Sequence, residues 1–346
     1  MPGLIALRQE WERLWQELGQ PSPYASCTWV RAWLEAQRLE SRLYILLARD
    51  DDGSLLGIAP LQRVPLPIPG LGVLTFIGQE TSMSPDFLVQ AGREREFSEA
   101  VLSYVFAQRD ISGVVLKMAE PLLGAKPLLE PYFSKSFGDV RIEQYSQRPI
   151  VSLPGDYETF LKNLSPKMRH EMRTARKKLA VHSIDFHIEE GKEDVNDRLK
   201  DLFALNELRW GQSGVRKKYE GLYVRLNEAG LLKIFSLYID NRPAAGLSAL
   251  VTDKGVYAEV AGFNYEVEAR YLGKCFYGLV MEWAILKGYR FLDFSSGEEE
   301  YKLRYNPQIF PKYRVTITRS AFGEFLLKMS RRLGRQVRWW REPALL

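Results

Sequence analysis

The alternation of hydrophobic and polar positions divides the chain into a regular series of helices and strands. Hydrophobic residues spaced three or four apart predict helices, whereas alternating or short continuous hydrophobic runs predict strands. In the first half, helices are predicted at 4–18, 28–38 and 94–109, and strands at 43–49, 55–63, 72–77, 86–89 and 113–117. The Pro-rich stretch 65–69 is predicted to be a loop, because proline cannot donate a hydrogen bond to a strand ladder.

The second half of the chain carries clear signals for helix ends. Ser165 followed by Pro166 predicts a helix start, since serine caps free N–H groups and proline fits the first turn. Gly288 predicts the end of a long apolar helix that runs from about 274 to 287. The remaining predicted elements are a helix near 194–210 and strands at 149–153, 184–189, 232–239, 245–252, 256–262 and 289–294.

The two halves of the sequence are similar to each other. Residues 43–61 and 232–250 each read as a strand, a short turn and a strand that carries Gly-x-x-x-Leu. Further strands, a helix and a strand follow each segment in the same order, which indicates an internal duplication. A chain of 346 residues also exceeds the usual size of a single core. We therefore predict domains at 1–148 and 149–320, followed by a basic amphipathic helix at 321–346.

The composition restricts the class of protein. Hydrophobic residues make up 46% of the chain and charged residues 26%, as in globular proteins. Two cysteines cannot form a disulfide framework, which favours a reducing compartment. The three histidines form no cluster with metal-ligand spacing, so no metal site is predicted. The sequence has no signal-peptide pattern and no run of eighteen apolar residues, which predicts a soluble, cytoplasmic protein.

Positive charge is concentrated in two segments. Residues 162–178 contain seven Lys or Arg and one Glu, and residues 328–341 contain six Lys or Arg and no acidic residue. Because the net charge of the whole chain is only +5, the rest of it is acidic overall. This asymmetry indicates a local anionic partner rather than a general nucleic-acid coat.

A short segment, Arg270–Cys275, follows a predicted strand and precedes a predicted helix. The free N–H groups and positive dipole of a helix start bind anions, and Gly273 would let a phosphate approach the backbone. Arg270 and Lys274 add positive charge, and Cys275 is small. The segment therefore predicts a pyrophosphate site, with an ordinary strand–turn–helix connection as the alternative.

Several segments resemble the GNAT acyltransferases. Arg-x-x-Gly-x-Cys at 270–275 resembles their pyrophosphate signature, Gln/Arg-x-x-Gly-x-Gly/Ala. Cys275 replaces the last small residue of that signature, and Leu272 replaces the small or proline residue often found before the glycine. Residues 291–305 resemble the Asp-Phe…Gly-Asp-Glu-x-Tyr-Lys-x-Arg-Trp pattern of a GNAT subgroup associated with cellulose and exopolysaccharide biosynthesis and related to the Fem-type peptidyltransferases. Further similar segments are 26–33, 84–89, 153–156, 164–169 and 203–210.

This resemblance implies a fold class and a co-substrate. The fold would be α/β (mixed α+β), with two tandem GNAT-like lobes, each a central mixed, mostly antiparallel sheet flanked by helices. Because the first half has no phosphate turn, one acyl-CoA site is expected, in the second lobe. Acetyl-CoA or another acyl-CoA would bind there without a metal, and the expected cofactor-binding residues are Arg270, Leu272, Gly273, Lys274 and Cys275.

Three residues are candidates for the chemistry of acyl transfer, which needs a base, an oxyanion donor and an acid for the departing thiolate. Glu259, in the strand before the phosphate turn, is the candidate base, with an outward carboxylate on a half-exposed strand as the alternative. Tyr301 and Tyr305 follow the next strand and are candidate acids, and either could instead be a core tyrosine.

Substrate binding is predicted for two groups of charged residues. Asp293, Lys302 and Arg304 lie at the carboxyl end of a strand, where open sheets place ligands, and a structural network of salt bridges is the alternative. Arg169 and Arg173 lie off the apolar stripe of their helix. They would bind an anionic acceptor, such as a nucleotide-sugar or a lipid-linked glycan, unless they form an ordinary solvated face.

The functional hypotheses differ in the partner that they require. The preferred one is an acyl-CoA-dependent N- or O-acyltransferase that acts on a sugar precursor or surface polysaccharide component. A second is Fem-type transfer of an aminoacyl group from charged tRNA, and a third is a non-catalytic accessory protein of a polysaccharide-synthesis machine. The helix at 321–346 would either lie on the anionic inner face of a membrane or pack on the protein body. The sequence does not specify the oligomeric state.

Overall fold

The computed structural model describes residues 2–37, 42–66, 68–119, 139–190, 195–211, 214–266, 269–297 and 299–318. The chain divides into two compact units: unit 1 consists of Met1–Gln147 and Phe310–Leu346, and unit 2 of Arg148–Ile309. The sequence-based domain ranges stay predictions, and the predicted helix at 321–346 lies outside the described residues.

Helices and strands alternate along both units. The helices are α1 (Pro2–Glu17), α2 (Cys27–Gln37), α3 (Glu94–Ala107), α4 (Tyr157–Asn163), α5 (Pro166–Leu179), α6 (Asn196–Trp210), α7 (Val215–Glu228), α8 (Ala269–Leu286) and α9 (Glu300–Leu303). The strands are β1 (Leu43–Arg49), β2 (Leu55–Pro65), β3 (Gly72–Phe76), β4 (Leu88–Val89), β5 (Ile111–Ala119), β6 (Asp139–Ser152), β7 (Ile184–Glu190), β8 (Leu232–Ile239), β9 (Arg242–Val251), β10 (Gly255–Phe263), β11 (Phe291–Asp293) and β12 (Gln308–Thr318).

The sheet of unit 1 is mixed and has the strand order β1-β2-β3-β5-β12. Strands β3 and β5 are parallel, and the other neighbouring pairs are antiparallel. The core next to α3 is aromatic: the Phe97 ring lies 5.6 Å from Phe87, which lies 5.0 Å from Phe76. Helix α3 buries Phe97, Val101 and Val105, because residues four apart share one helix face.

The sheet of unit 2 has the strand order β6-β11-β10-β9-β8-β7, to which β6 contributes its last residues. Strands β10 and β11 are parallel, and the other neighbouring pairs are antiparallel. The predicted architecture of mixed, mostly antiparallel sheets flanked by helices is confirmed. Strand β12 was missed in the sequence, and it pairs with β5 of unit 1.

The start of α5 agrees with its sequence signal. Ser165 Oγ accepts a hydrogen bond from the Met168 backbone N–H at 3.2 Å, and Pro166 occupies the first turn. The predicted apolar stripe is buried, and it consists of Met168, Met172, Ala175 and Leu179. Helices α5 and α8 pack together over one face of the unit 2 sheet and form its main hydrophobic core.

Helix α6 covers the opposite face of the unit 2 sheet. Side chains alternate along a strand, so Gly262 in β10 faces α6, whereas its neighbours Ala261 and Phe263 face the core under α8. A Cβ at Gly262 would lie 2.5 Å from the backbone N of Asn206. Only glycine therefore allows α6 to lie this close to the strand.

Helix α7 was not predicted from the sequence. Its buried residues nevertheless follow a helical spacing, and they are Tyr219, Leu222, Tyr223, Leu226 and Asn227. The Tyr223 ring stacks on Phe203 of α6 at 6.2 Å and lies, tilted, 5.2 Å from the Tyr219 ring. This helix brings two buried phenols to the middle of the sheet, where β10 is irregular.

Candidate active site

Strand β10 contains a β-bulge at its centre. Ala258 of β10 pairs with Ala249 of β9, and the next pair is Ala261 with Leu247. Between these pairs, β10 has two residues and β9 has one. The bulge residues Glu259 and Val260 lie opposite Ser248. A bulge re-aims side chains and leaves backbone groups out of the ladder, and such irregularities concentrate near active sites.

Ser248 fills the place that the bulge leaves in the ladder. Its side chain is fully buried. The Val260 N–H donates to Ser248 Oγ at 3.1 Å, and Ser248 Oγ lies 3.4 Å from the Val260 carbonyl oxygen. A buried backbone group without a partner costs about 1–3 kcal/mol, so this hydroxyl stabilises the bulged conformation.

Glu259, the predicted base, is half-buried in the bulge. Tyr223 Oη donates a hydrogen bond to Glu259 Oε2 at 3.4 Å. Burial, reinforced by the charge of Glu259, raises the pKa of Tyr223 well above its usual value, so the phenol stays protonated and acts as a donor. Tyr219 lies beside this pair, and burial followed by the charge of Glu259 raises its pKa as well. The carboxylate of Glu259 thus borders a buried phenolic cluster.

Asn206 of α6 holds the far end of the bulge. Its Nδ2 donates to the Ala261 carbonyl oxygen at 2.8 Å. Its buried Oδ1 has no hydrogen-bond partner within the described part of the chain. Sequence reasoning included Asn206 only as part of the 203–210 resemblance, because a polar residue within a helix does not by itself indicate contact with a strand.

The segment Arg270–Cys275 lies within α8 rather than in a turn before it. The helix begins at Ala269, five residues earlier than predicted, because Leu272 is fully buried and anchors the first turn in the core. In a helix, the N–H groups of the first turn are free, whereas the N–H of Gly273 points to the carbonyl of residue 269. The expected helix boundary was therefore wrong, and the anion-binding N–H groups precede Gly273.

The other side chains of this segment differ in accessibility. A Cβ built on Gly273 would have its nearest neighbour, Phe263 Cε1, at 3.9 Å, so the helix surface is open there. Lys274 Nζ lies 3.5 Å from a carboxylate oxygen of Glu171. Cys275 is buried, and burial raises its pKa to about 11 despite the opposing effect of the Arg176 charge. The side chain of Arg270 lies outside the described part of the structure.

The two predicted acids occupy one aromatic cluster. Tyr305 is fully buried, with its ring 5.3 Å from Phe294 and 6.0 Å from Tyr277, and burial raises its pKa. Tyr301 is half-buried and stacks on Tyr277 at 5.8 Å. Burial raises the pKa of Tyr301 to about 12, although a hydrogen bond with Tyr277 lowers it. Of the two, Tyr301 has the more accessible side chain.

A surface of aromatic and basic side chains lies at the end of α6. Arg209 stacks over Trp210 at 4.6 Å and donates from Nη1 to Tyr265 Oη at 3.4 Å. Trp210 is 40% exposed and Tyr265 is 47% exposed, which is unusual for large rings. The charges of Arg209 and Tyr265 also act on the pKa of Tyr301, so these groups are near one another.

Asp293 forms a buried ion pair. Arg148 Nε donates to Asp293 Oδ2 at 2.5 Å, and the two side chains are 6% and 1% exposed. Asp293 Oδ1 accepts a hydrogen bond from the Ser295 N–H at 2.8 Å. A substrate could reach Asp293 only by displacing these partners, so the geometry favours a structural salt bridge over substrate binding.

Lys302 and Arg304 lie in different environments. Lys302 is buried, and its Nζ donates to the Ser296 carbonyl oxygen at 2.7 Å and lies 2.9 Å from Glu299 Oε2. Arg304 is exposed and forms an ion pair with Glu300 at 2.8 Å. Asp293, Lys302 and Arg304 thus each have their own local partners, and their substrate-binding role stays a prediction.

The two arginines predicted to bind an anionic acceptor also have local partners. Arg169 donates to the carbonyl oxygens of Leu161, Lys162 and Leu164 at 3.0, 3.1 and 3.3 Å. These carbonyls end α4, so Arg169 caps that helix. Arg173 is exposed and forms an ion pair with Glu158 at 2.9 Å. The substrate-binding roles of both residues stay predictions.

Two further features of the described residues concern membrane spans and metal ligands. None of the helices within the described ranges is long and apolar enough to cross a bilayer. In the same ranges, no group of three or more His, Cys, Asp or Glu side chains is arranged to hold a metal ion.

Residues 166–303 match the sequence profile of a family described as an acetyltransferase (GNAT) domain. This range runs from α5 to α9 and contains the bulge, the start of α8 and Tyr301. The match lies within unit 2 and agrees with the GNAT resemblance of the sequence. No curated protein matches the chain significantly.

Solved structures of similar fold cover nearly the whole chain. The C-terminal domain of a putative lysylphosphatidylglycerol synthetase from Agrobacterium fabrum has a TM-score of 0.59 at 12% identity, covering 96% of this chain and 97% of that one. FemX has a TM-score of 0.60 at 12% identity, and the match covers 88% of this chain and 93% of FemX. L-PGS from Bacillus licheniformis has a TM-score of 0.55 at 13% identity, and the match covers 91% of this chain and 98% of L-PGS. At these identities the similarity establishes the fold and leaves the substrate open.

Proposed function

We propose that the chain is an acyl-CoA-dependent N- or O-acyltransferase in which Glu259 is the general base. The observation that carries this proposal is the position of Glu259 in the β10 bulge, where Tyr223 donates a hydrogen bond to its carboxylate. A half-exposed carboxylate held by a buried donor is suited to accept a proton from an amine or hydroxyl. The GNAT domain match includes this strand.

In the proposed reaction, Glu259 accepts the proton of the acceptor amine or hydroxyl while the acceptor atom bonds to the thioester carbonyl carbon. The carbon–sulfur bond then breaks, and Tyr301 donates its phenolic proton to the departing thiolate. Because burial raises the pKa of Tyr301 to about 12, the phenol is protonated at neutral pH before transfer. Transfer of the proton from Glu259 to Tyr301 through solvent restores the starting state.

The start of α8 fits the phosphates of acyl-CoA. The N–H groups in the first turn of a helix are not used by the helix's own backbone ladder, and such groups attract anions. The helix surface is open at Gly273. The neighbouring Lys274, whose Nζ lies 3.5 Å from a carboxylate oxygen of Glu171, contributes a positive charge. We therefore assign pyrophosphate binding to this surface, with Arg270, Leu272 and Cys275 completing the segment as the sequence resemblance implies.

For the acceptor, we propose a sugar precursor or a surface polysaccharide component. This proposal is supported by the similarity of residues 291–305 to the subgroup associated with cellulose and exopolysaccharide biosynthesis. It is also supported by the exposed rings of Trp210 and Tyr265. These rings offer apolar faces to a sugar ring, and the adjacent Arg209 offers a charged hydrogen-bond donor to its hydroxyl groups.

Transfer of an aminoacyl group from tRNA is the second candidate function. The likeness in fold to FemX supports it, and so do the exposed cationic side chains of α5, among them Lys167, Lys177 and Lys178. Binding of RNA through such residues would weaken steeply with salt, because condensed counterions are released. A non-catalytic accessory protein would instead bind liposomes or a protein partner and would not turn over a thioester.

Calorimetric titration with acetyl-CoA tests the proposed function. The wild type should bind at micromolar concentration, and an Arg270→Ala/Gly273→Glu double variant should not. Arg216→Ala, which removes an exposed arginine paired within α7, is the matched control and should bind like the wild type. If the wild type binds neither acetyl-CoA nor longer acyl-CoAs, dependence on acyl-CoA is refuted, and the salt dependence of tRNA binding becomes the next measurement.

A further inference from the structure

The bulge in β10 joins two hydroxyl groups to the candidate base. Ser248 of β9 hydrogen-bonds the backbone of Val260, as described above. Burial and the charge of Glu259 raise the pKa of the Tyr223 phenol, and the Ser248 hydroxyl opposes this shift. Tyr223 in turn donates to Glu259. Ser248 therefore holds the backbone of the bulge, and Tyr223 holds the carboxylate that the bulge carries.

We propose that Ser248 and Tyr223 are positioning residues that set the orientation and protonation of Glu259. This inference rests on the proposed role of Glu259 as the base. Ser248 fixes the bulged backbone that carries Glu259, and Tyr223 of α7 supplies a hydrogen bond to its carboxylate. Both hydroxyls are buried, so water does not replace them when they are removed.

The groups that face Glu259 come from several elements. Helix α7 contributes the phenols of Tyr223 and Tyr219, and β9 contributes the hydroxyl of Ser248. Helix α6 contributes Asn206, which is uncharged and bonds the bulge backbone. The Arg148–Asp293 ion pair lies beside Tyr257, further back along β10. Among these groups, Tyr223 makes the hydrogen bond to the carboxylate.

The expected effect on proton transfer follows from the direction of this hydrogen bond. A donor to a carboxylate favours its charged form. Removal of the Tyr223 hydroxyl should therefore favour the protonated form of Glu259, which cannot act as a base. Because the hydrogen bond is long, the titration of Glu259 should move to higher pH by roughly half a unit to one unit.

The test compares Tyr223→Phe with Tyr219→Phe as the matched control. Both variants remove one buried phenolic oxygen from α7 and keep the ring, so the stacking on Phe203 is retained. The direct measurement is the pH titration of the Glu259 carboxyl carbon by NMR, with Glu259→Gln used to assign the signal. This measurement needs no substrate, so it decides the inference even if acetyl-CoA proves not to be the donor.

The inference requires that the Glu259 signal titrate at higher pH in Tyr223→Phe than in the wild type, with a smaller shift in Tyr219→Phe. With an acyl-CoA substrate, the acid limb of kcat/KM should move in the same direction, and activity should recover at high pH. Ser248→Ala should lower kcat and leave binding of acetyl-CoA unchanged. Equal titrations in the wild type and both phenylalanine variants would overturn the inference. A loss of kcat in Tyr223→Phe that is the same at every pH would also overturn it.

Discussion

The buried Arg148–Asp293 ion pair gives a quantitative test of how unit 2 is stabilised. The two residues lie 145 positions apart in the sequence and join the start of the unit to the end of β11. The perturbations are Asp293→Leu and Arg148→Met, each of which leaves one charged group without its ion-pair partner. The Arg148–Asp293 pair is almost completely excluded from solvent, so water cannot compensate for the loss.

Each single variant should lower the free energy of unfolding by about 3–5 kcal/mol, as expected when one member of a buried ion pair is removed. The double variant Arg148→Met/Asp293→Leu removes both charges and fills similar volume. The double variant should lose far less free energy of unfolding than the two single variants together, because it leaves no buried charge unpaired. The difference between these values measures the coupling within the pair.

Urea titration followed by circular dichroism provides the measurement, with similar m values expected for all variants. Arg304→Ala is the control, because its ion pair with Glu300 is exposed and should contribute at most about 0.5 kcal/mol. A loss below about 1 kcal/mol in both single variants would refute the reasoning. It would also favour the prediction that Asp293 binds substrate over a structural role for the ion pair.

Three further predictions concern packing, capping and reactivity in unit 2. Gly262→Ala should lower the free energy of unfolding by about 1–3 kcal/mol, because its Cβ would lie 2.5 Å from the α6 backbone. Gly273→Ala should be neutral or should raise the free energy of unfolding by up to about 1 kcal/mol, since nothing crowds its Cβ. Thermal unfolding of the Gly262→Ala and Gly273→Ala variants provides the comparison. Arg169→Ala should lower the free energy of unfolding by about 1 kcal/mol, because it removes the cap of α4. Arg173→Ala is the control: it breaks an exposed ion pair and should change the same quantity by less than about 0.5 kcal/mol. Because the pKa of Cys275 is raised to about 11, its thiol should be almost entirely protonated at pH 8 and should react with a thiol reagent only after denaturation; rapid reaction of the native protein would contradict this.

The local order of elements could be predicted from the sequence. Strand β8 was predicted with its observed bounds, and the start of α5 followed from Ser165 and Pro166. These features depend on residues close together in the chain, since side-chain period and capping are local properties. The candidate base, Glu259, was found for the same reason: it is a carboxylate in a strand that precedes a glycine-containing helix start.

The tertiary structure decided how these residues are used. The β10 bulge depends on the register between two strands, and the hydrogen bond from Tyr223 to Glu259 joins positions 36 residues apart through a helix that the sequence did not predict. The same is true of Asp293, whose charge pattern alone did not distinguish a ligand from a buried partner of Arg148. Periodicity determines which face of an element is buried, but contacts between elements distant in sequence determine which polar side chain is left accessible for chemistry.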